Sequence, residues 1–216
     1  MPISKSERWI FVHVPKTAGT SVEAALGVHG DWRVEDRERM YGRIASPDVV
    51  AHGYRSKFLQ HLTLPEIHEV VPQSRGWFSF AFVRNPWDRM VSVHSRPDPQ
   101  MVWSARDRGI ELEGLAFEEF LRRTADIDHA HLAPQADYLE SEEGECLVDF
   151  VGRFEHLQRD FDEVCRRIGS SAKLPHENRS PGRPRGSDYR AHYTDRTREV
   201  VAERYRRDIE AFGYSF

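Results

Sequence analysis

Trp77-Phe78-Ser79-Phe80-Ala81-Phe82-Val83 is the most strand-like run in the chain, apolar except for Ser79. Aromatic and β-branched side chains without a polar alternation need cover on both faces, which points to a central strand of a buried parallel sheet. The run stops at Arg84-Asn85-Pro86-Trp87-Asp88. There Asn85 can cap a helix, Pro86 suits its first position and Asp88 sits favourably in its first turn. A second β-prone run, residues 9–14, ends at Pro15, and helix formers fill residues 20–26 after Gly19, with Gly27 near the end. Two such strand–loop–helix corners predict an α/β protein whose central parallel sheet is flanked by helices.

The remaining pattern fits that plan. Residues 48–53 read as a short strand ending in a turn, and Thr63-Leu64-Pro65-Glu66 as a helix start. Residues 97–114 are polar and irregular, which predicts a mobile segment. Residues 116–121 read as a helix. Phe154, Leu157, Phe161, Val164, Cys165 and Ile168 recur at helical spacing with Gly169 as the stop, and Val201, Tyr205, Ile209 and Phe212 share one face of a last helix. No repeat is present, and 216 residues suit one domain over 1–216.

Composition narrows the function. Thirty-one Lys and Arg against 35 Asp and Glu give a net charge of −4, which argues against bulk nucleic-acid binding. No run approaches the ~18 apolar residues of a membrane span, and residues 1–9 lack the apolar centre of a signal peptide. Cys146 and Cys165 are too few for a disulfide framework or a Cys-rich metal site. These features lead us to expect a soluble, cytoplasmic protein; nothing in them bears on oligomeric state.

His13-Val14-Pro15-Lys16-Thr17-Ala18-Gly19-Thr20-Ser21 closes the first strand and opens a helix, a junction that favours an anion. Gly19 allows close backbone approach, Thr17, Thr20 and Ser21 offer hydroxyls, and Lys16 a point charge. A solvated structural corner is the plainer account of the same residues. A kinase or NTPase of the P-loop type fits poorly: with Gly19 on the second glycine of GxxxxGK[ST], Val14 falls on the first glycine and Thr20 on the lysine. At the second corner Arg84 leaves the C-terminal tip of the central strand, where ligands of open α/β sheets bind, with Ser92 two turns along the helix. Arg84 and Ser92 can hold a terminal phosphate, or Arg84 can simply pair with Asp88. Two anion sites on one sheet point to a ligand with phosphate-like groups at both ends.

The stretch Phe11–Ser21, FVHVPKTAGTS, followed about sixty residues later by FAFVRNPWDRMVSVHS, resembles the carbohydrate sulfotransferase family that includes heparan sulfate 2-O- and chondroitin sulfotransferases. VDFVGRFEHLQRDFDEVC (148–165), LPHENRS (174–180) and AERYRRDIEAFGY (202–214) also look like that family. The resemblance implies a P-loop-like three-layer fold and 3′-phosphoadenosine-5′-phosphosulfate (PAPS) as sulfuryl donor, with no metal. Lys16, Thr17, Gly19, Thr20 and Ser21 would then bind its 5′-phosphosulfate, and Arg84 and Ser92 its 3′-phosphate. The acceptor would be a hydroxyl of a carbohydrate or related small molecule. Because the chain begins almost at its first strand, a small soluble member is expected, without the N-terminal anchor of many animal members. The alternatives are a P-loop-like kinase or NTPase, or an inactive nucleotide-binding module.

Sulfuryl transfer calls for a general base, and histidine matches neutral pH. His52 is the choice among eleven histidines: it precedes Gly53 at a strand-to-turn junction, and AHGY resembles the family's catalytic-histidine region. Lys16 would stabilise the leaving phosphate. His13 is expected to pack in the sheet, His94 to lie on another helix face than Ser92 or approach the nucleotide, and His129 and His131 to be solvated or face substrate rather than bind metal. Residues 179–207 hold nine Arg against four acids, read either as a solvated basic face or as a flap with Arg179 or Arg183 over the nucleotide. Arg55 and Lys57 near His52 hint at an anionic or sugar acceptor.

Overall fold

The computed structural model describes residues 2–28, 59–141, 143–175 and 188–216. The expected strand at 48–53, His52, Arg55, Lys57, Arg179 and Arg183 lie outside the described residues. The chain divides into two compact units, residues 1–83 with 135–178 and residues 84–134 with 179–216.

The first unit carries a four-stranded, mostly parallel sheet. Strands β1 (Ile3–Ser4), β2 (Trp9–Val12), β3 (Phe78–Val83) and β4 (Phe150–Arg153) lie in that order. β1 is antiparallel to β2, whereas β2, β3 and β4 are parallel. Phe11 pairs with Phe80 and Phe80 with Phe150, so one face presents aromatic rings from every parallel strand, and Phe82 on that face pairs with Gly152. Phe11 stacks on Phe80 with centroids 5.2 Å apart. Helices α1 (Gly19–Ala25) and, further along the chain, α7 (Leu157–Ile168) contribute Val22, Phe161, Val164 and Cys165 to this cluster. The other face buries Ile10, Val12 and Ala81 completely. β3 is thus enclosed on both sides, as its unbroken apolar run requires.

Helix α2 (Leu64–Val70) starts with the expected chemistry: Thr63 Oγ1 accepts from Glu66 N while the Glu66 side chain accepts from Thr63 N, a reciprocal capping box. Gly169, with φ 69°, ends α7 in the left-handed conformation that suits glycine. α7 begins later than the apolar spacing implied. Phe150–Arg153 is strand β4, and Phe154–His156 a 3-10 turn, because Arg153 N donates to Asp160 Oδ2 at 2.7 Å and the chain must bend before α7 starts. A short α6 (Ala136–Leu139) precedes this strand.

The second unit is helical among its described residues: α3 (Pro86–Ser95), α4 (Pro99–Arg106), α5 (Phe117–Arg123), α8 (Asp195–Arg204) and α9 (Arg206–Phe212). α4 occupies residues 99–106 of the irregular segment expected over 97–114, and residues 107–114 carry turns without a regular element. Its buried Met101, Val102 and Ala105 recur at three- and four-residue spacing, a stripe diluted in sequence by exposed neighbours. The expected single last helix breaks at Tyr205 (φ −116°, ψ 30°). The fully buried Tyr205 hydroxyl donates to Leu132 O at 2.9 Å, which holds its backbone off helical geometry. Beside it lies Arg89, also fully buried, donating to the carbonyls of His131 and Ala133 at 3.2 and 2.9 Å, with Asp208 4.0 Å away. No described helix is long and apolar enough to cross a membrane.

Gly152 gives a direct test of the sheet. A Cβ there would fall 2.5 Å from Phe82 Cε1 and 3.1 Å from Asp160 Cβ. Gly152→Ala is expected to cost about 1–3 kcal/mol through overpacking, read as a lower denaturation midpoint; an unchanged midpoint contradicts this packing.

Candidate functional site

β2 leads into a loop shaped by its own backbone. Lys16 and Ala18 both have positive φ, 69° and 71°. Non-glycine residues hold this region only where the surroundings fix them, and successive N–H groups in such turns make anion-binding concavities. Thr17 is fully buried and donates from Oγ1 to Val14 O at 2.9 Å. Its proton therefore closes the loop from inside. Lys16 is half-buried and Thr20 exposed.

Helix α1 brings no acceptor of its own to its start: Ala18 at the cap position makes no side-chain hydrogen bond and the first turn has no acidic residue. Ser21, 2% exposed, has an Oγ without a hydrogen-bond partner among the described residues. A buried hydroxyl without a partner carries a desolvation cost, which a ligand oxygen can relieve.

Beneath the loop lies a polar cluster that inspection of the sequence did not anticipate. His13 Nδ1 is 2.6 Å from Glu23 Oε1, and Gln60 Nε2 donates to both Glu23 oxygens at 3.2 Å. His61 Nδ1 is 2.8 Å from the carbonyl of His13. Burial acts to raise the Glu23 carboxyl, but the charge and hydrogen bond of His13 and the hydrogen bond of Gln60 outweigh it and hold the group below its ordinary range. His13 packs on the sheet, stacked on Phe11 at 5.5 Å, as expected of it. It also explains Gly19: a Cβ there would land 2.0 Å from His13 Nε2 and 2.2 Å from Cδ2. The close approach that the glycine permits is to this ring.

The second corner is described by itself. Asn85 Oδ1 accepts from Trp87 N at 3.0 Å and Asp88 N at 3.5 Å, the expected cap, and its Nδ2 donates to Ser215 O. Arg84 Nε donates to Asp88 Oδ2 at 2.7 Å, so the structural pairing does form. Arg84, Asp88 and Ser92 are all nearly buried; Asp88 and Ser92 stand four residues apart on one side of α3, and Arg84, which precedes the helix, reaches Asp88 through its side chain. His94 Nε2 is bonded to Leu115 O at 2.8 Å and its ring lies edge-on to Phe117 and Phe120, a packing role. His129 and His131 lie 3.5 and 4.0 Å from Asp98. No group of three or more metal-ligating side chains occurs among the described residues.

These two corners, each at the end of a strand or the start of the helix after it, carry the motifs by which a family can be tested. A family model described as the sulfotransferase family matches residues 1–215. The chain belongs to the sulfotransferase family. Carbohydrate sulfotransferase 10 of Xenopus laevis is 24% identical over 98% of this chain and 66% of its own length. Carbohydrate sulfotransferase 10 of Homo sapiens is 22% identical over 78% of this chain and 55% of its own. For carbohydrate sulfotransferase 14 of Danio rerio the figures are 23%, 78% and 48%. The chain thus spans about half to two thirds of the length of these relatives. No solved structure gives a significant match.

The His13–Gly19 contact is testable as a coupling. Gly19→Ala is expected to destabilise by about 1–3 kcal/mol. Combined with His13→Ala, which removes the ring, the loss should fall short of the sum of the single losses by about 0.5 kcal/mol or more. Additive losses in denaturant melts contradict the contact.

Proposed function

We propose that this chain transfers the sulfuryl group of PAPS to a hydroxyl of a carbohydrate or related acceptor. The observation that carries this reading is the loop after β2: strained backbone at Lys16 and Ala18, an α1 without a side-chain cap, and a buried Ser21 Oγ that has no hydrogen-bond partner among the described residues. Family membership and the carbohydrate sulfotransferase relatives give the anion its chemical class.

In this reading the loop is a P-loop-like phosphate site within a three-layer fold. Lys16, the backbone at Gly19, Thr20 and Ser21 hold the donor's 5′-phosphosulfate, and Thr17 keeps the loop closed. β2 and β3 are neighbouring parallel strands, so their C-terminal ends share one edge of the sheet. Arg84 is the residue after β3, and with Ser92 it takes the 3′-phosphate, Asp88 orienting the guanidinium. A carboxylate that fixes the Arg84 Nε is compatible with a fork presented to phosphate by the terminal nitrogens.

The acceptor oxygen bonds to sulfur as the bond from sulfur to the 5′-phosphate oxygen breaks, and 3′,5′-ADP leaves. Charge grows on the bridging oxygen, where Lys16 neutralises it. His52 takes the acceptor's proton. Arg179 contributes to the nucleotide's 3′-phosphate side. Every one of these roles is assigned to a residue of this chain, and none calls for a metal.

Turnover of sulfur-labelled PAPS against a panel of sugar hydroxyls, with thermal shift by 3′,5′-ADP and by ATP–Mg²⁺, tests the reading. Stabilisation by 3′,5′-ADP together with label transfer is expected. Stabilisation by ATP–Mg²⁺ alone favours a kinase or NTPase, and 3′,5′-ADP binding with no acceptor sulfated favours an inactive binding module. Lys16→Ala and Arg84→Ala should each weaken 3′,5′-ADP binding about tenfold or more. His52→Ala should retain that binding and lose about 10²–10⁴-fold in kcat; normal turnover removes His52 from the mechanism.

A further inference from the structure

His13 is a buried titratable side chain of the sheet unit with no task in the proposed reaction. It follows β2 and is 4% exposed. Its Nδ1 is committed to Glu23 at 2.6 Å. The face of the ring at Nε2 lies against Gly19, where a Cβ would come within 2.0 Å of Nε2, 2.2 Å of Cδ2 and 2.5 Å of Cε1. Gly19 and Glu23 stand four residues apart on α1, hence on one side of it, and the imidazole touches both.

This arrangement poses an electrostatic problem. Glu23 is fully buried and held ionised, one helical turn below the loop assigned to the donor's anionic end. A fixed negative charge at that depth repels an incoming phosphosulfate strongly, because little water screens it. The group standing between the two is His13. Only a positive ring turns the stack into alternating charges: carboxylate, imidazolium, bound anion.

We propose that His13 is an anion-binding residue of this loop, carrying protons on both nitrogens when the donor is bound, with Nδ1–H held by Glu23 and Nε2–H serving the 5′-phosphosulfate end. The proposal rests on the reading of the loop as the donor's 5′ site. Among the described residues, the groups that face the ring are Phe11 from β2, Gly19 and Glu23 from α1, and His61 from the 3-10 turn Leu59–His61, with Gln60 of that turn on Glu23. Lys16 lies in the intervening loop. His61 is the second titratable group, edge-on with its centroid 4.8 Å from that of His13, and its Nδ1 is bonded to the His13 carbonyl. A histidine that merely bracketed β2 to α1 would leave ligand affinity indifferent to pH; an imidazolium in the stack would not.

Calorimetric titration with 3′,5′-ADP from about pH 7 to about pH 9 separates these roles, since the ligand's phosphates are already ionised there and cannot supply the slope. The wild-type protein should bind more weakly as pH rises, by up to about tenfold per unit, because the protonated ring is the binding form. His13→Asn places an amide nitrogen where Nδ1 stood, keeps a donor to Glu23 and deletes Nε2. Its affinity at the low end of the range should drop about tenfold, and the slope should vanish while His61 remains in place. Should that variant fail to fold, Glu23→Gln serves instead: it keeps an acceptor for Nδ1–H, removes the counter-charge, and should move the fall in affinity to lower pH. A flat wild-type profile, or a slope that persists in His13→Asn and is unmoved in Glu23→Gln, overturns the role of His13. Absence of any 3′,5′-ADP binding by the wild type instead overturns the donor reading on which it stands.

Discussion

The His13 imidazole, wedged between the Glu23 carboxylate and the bare Cα of Gly19, is the contact on which the geometry of the first corner depends. It ties the end of β2 to α1 by one short hydrogen bond and one close packing contact. The five residues between His13 and Gly19 must then close within a fixed span. Positive φ at Lys16 and Ala18 and the Thr17 bond to Val14 O are how the backbone does so. The strain at those two residues persists because its ends are clamped. The Ser21 hydroxyl beside it is buried without a hydrogen-bond partner among the described residues. Loop shape and the identity of residue 19 are consequences of a single arrangement.

The second corner is organised differently. Its helix supplies its own cap in Asn85 and its own counter-ion in Asp88, so α3 starts without strain. Rigidity there comes from behind the helix, where Arg89 is fully buried among the carbonyls of His131 and Ala133, with Asp208 and the Tyr205 ring beside it. A buried arginine is tolerated only when its donors are met, and removal of one partner from such a set is far costlier than the pair's net contribution. Asp208 and Tyr205 belong to the C-terminal helices, which are thereby joined to the segment that carries Arg84 and Ser92.

The features legible in the sequence were those encoded locally. The β3 run, the Asn85–Pro86 start, the Thr63 cap and the Gly169 stop each depend on residues within a few positions of one another, and each formed as expected. β4 escaped because Phe150-Val151-Gly152-Arg153 is short, holds a glycine and runs directly into a helical apolar spacing. Its strand character comes from pairing with β3, with Gly152 making room for the Phe82 ring. α4 escaped because its apolar stripe is only three residues deep in a polar segment. The motif at residues 13–21 was visible, and so was the need for close approach at Gly19. That the approaching group is the His13 ring was not visible, since its partner Glu23 is ten residues away and reads as an ordinary helix former.

The proposal with the widest consequences is that Lys16–Ser21 hold the donor's 5′ end and Arg84 and Ser92 its 3′-phosphate. A crystal structure of the protein with 3′,5′-ADP measures this directly. The account predicts one adenosine with its 5′-phosphate within hydrogen-bond reach of Lys16 and Ser21 Oγ and its 3′-phosphate on Arg84 and Ser92. A nucleotide bound with either phosphate away from these residues would contradict it.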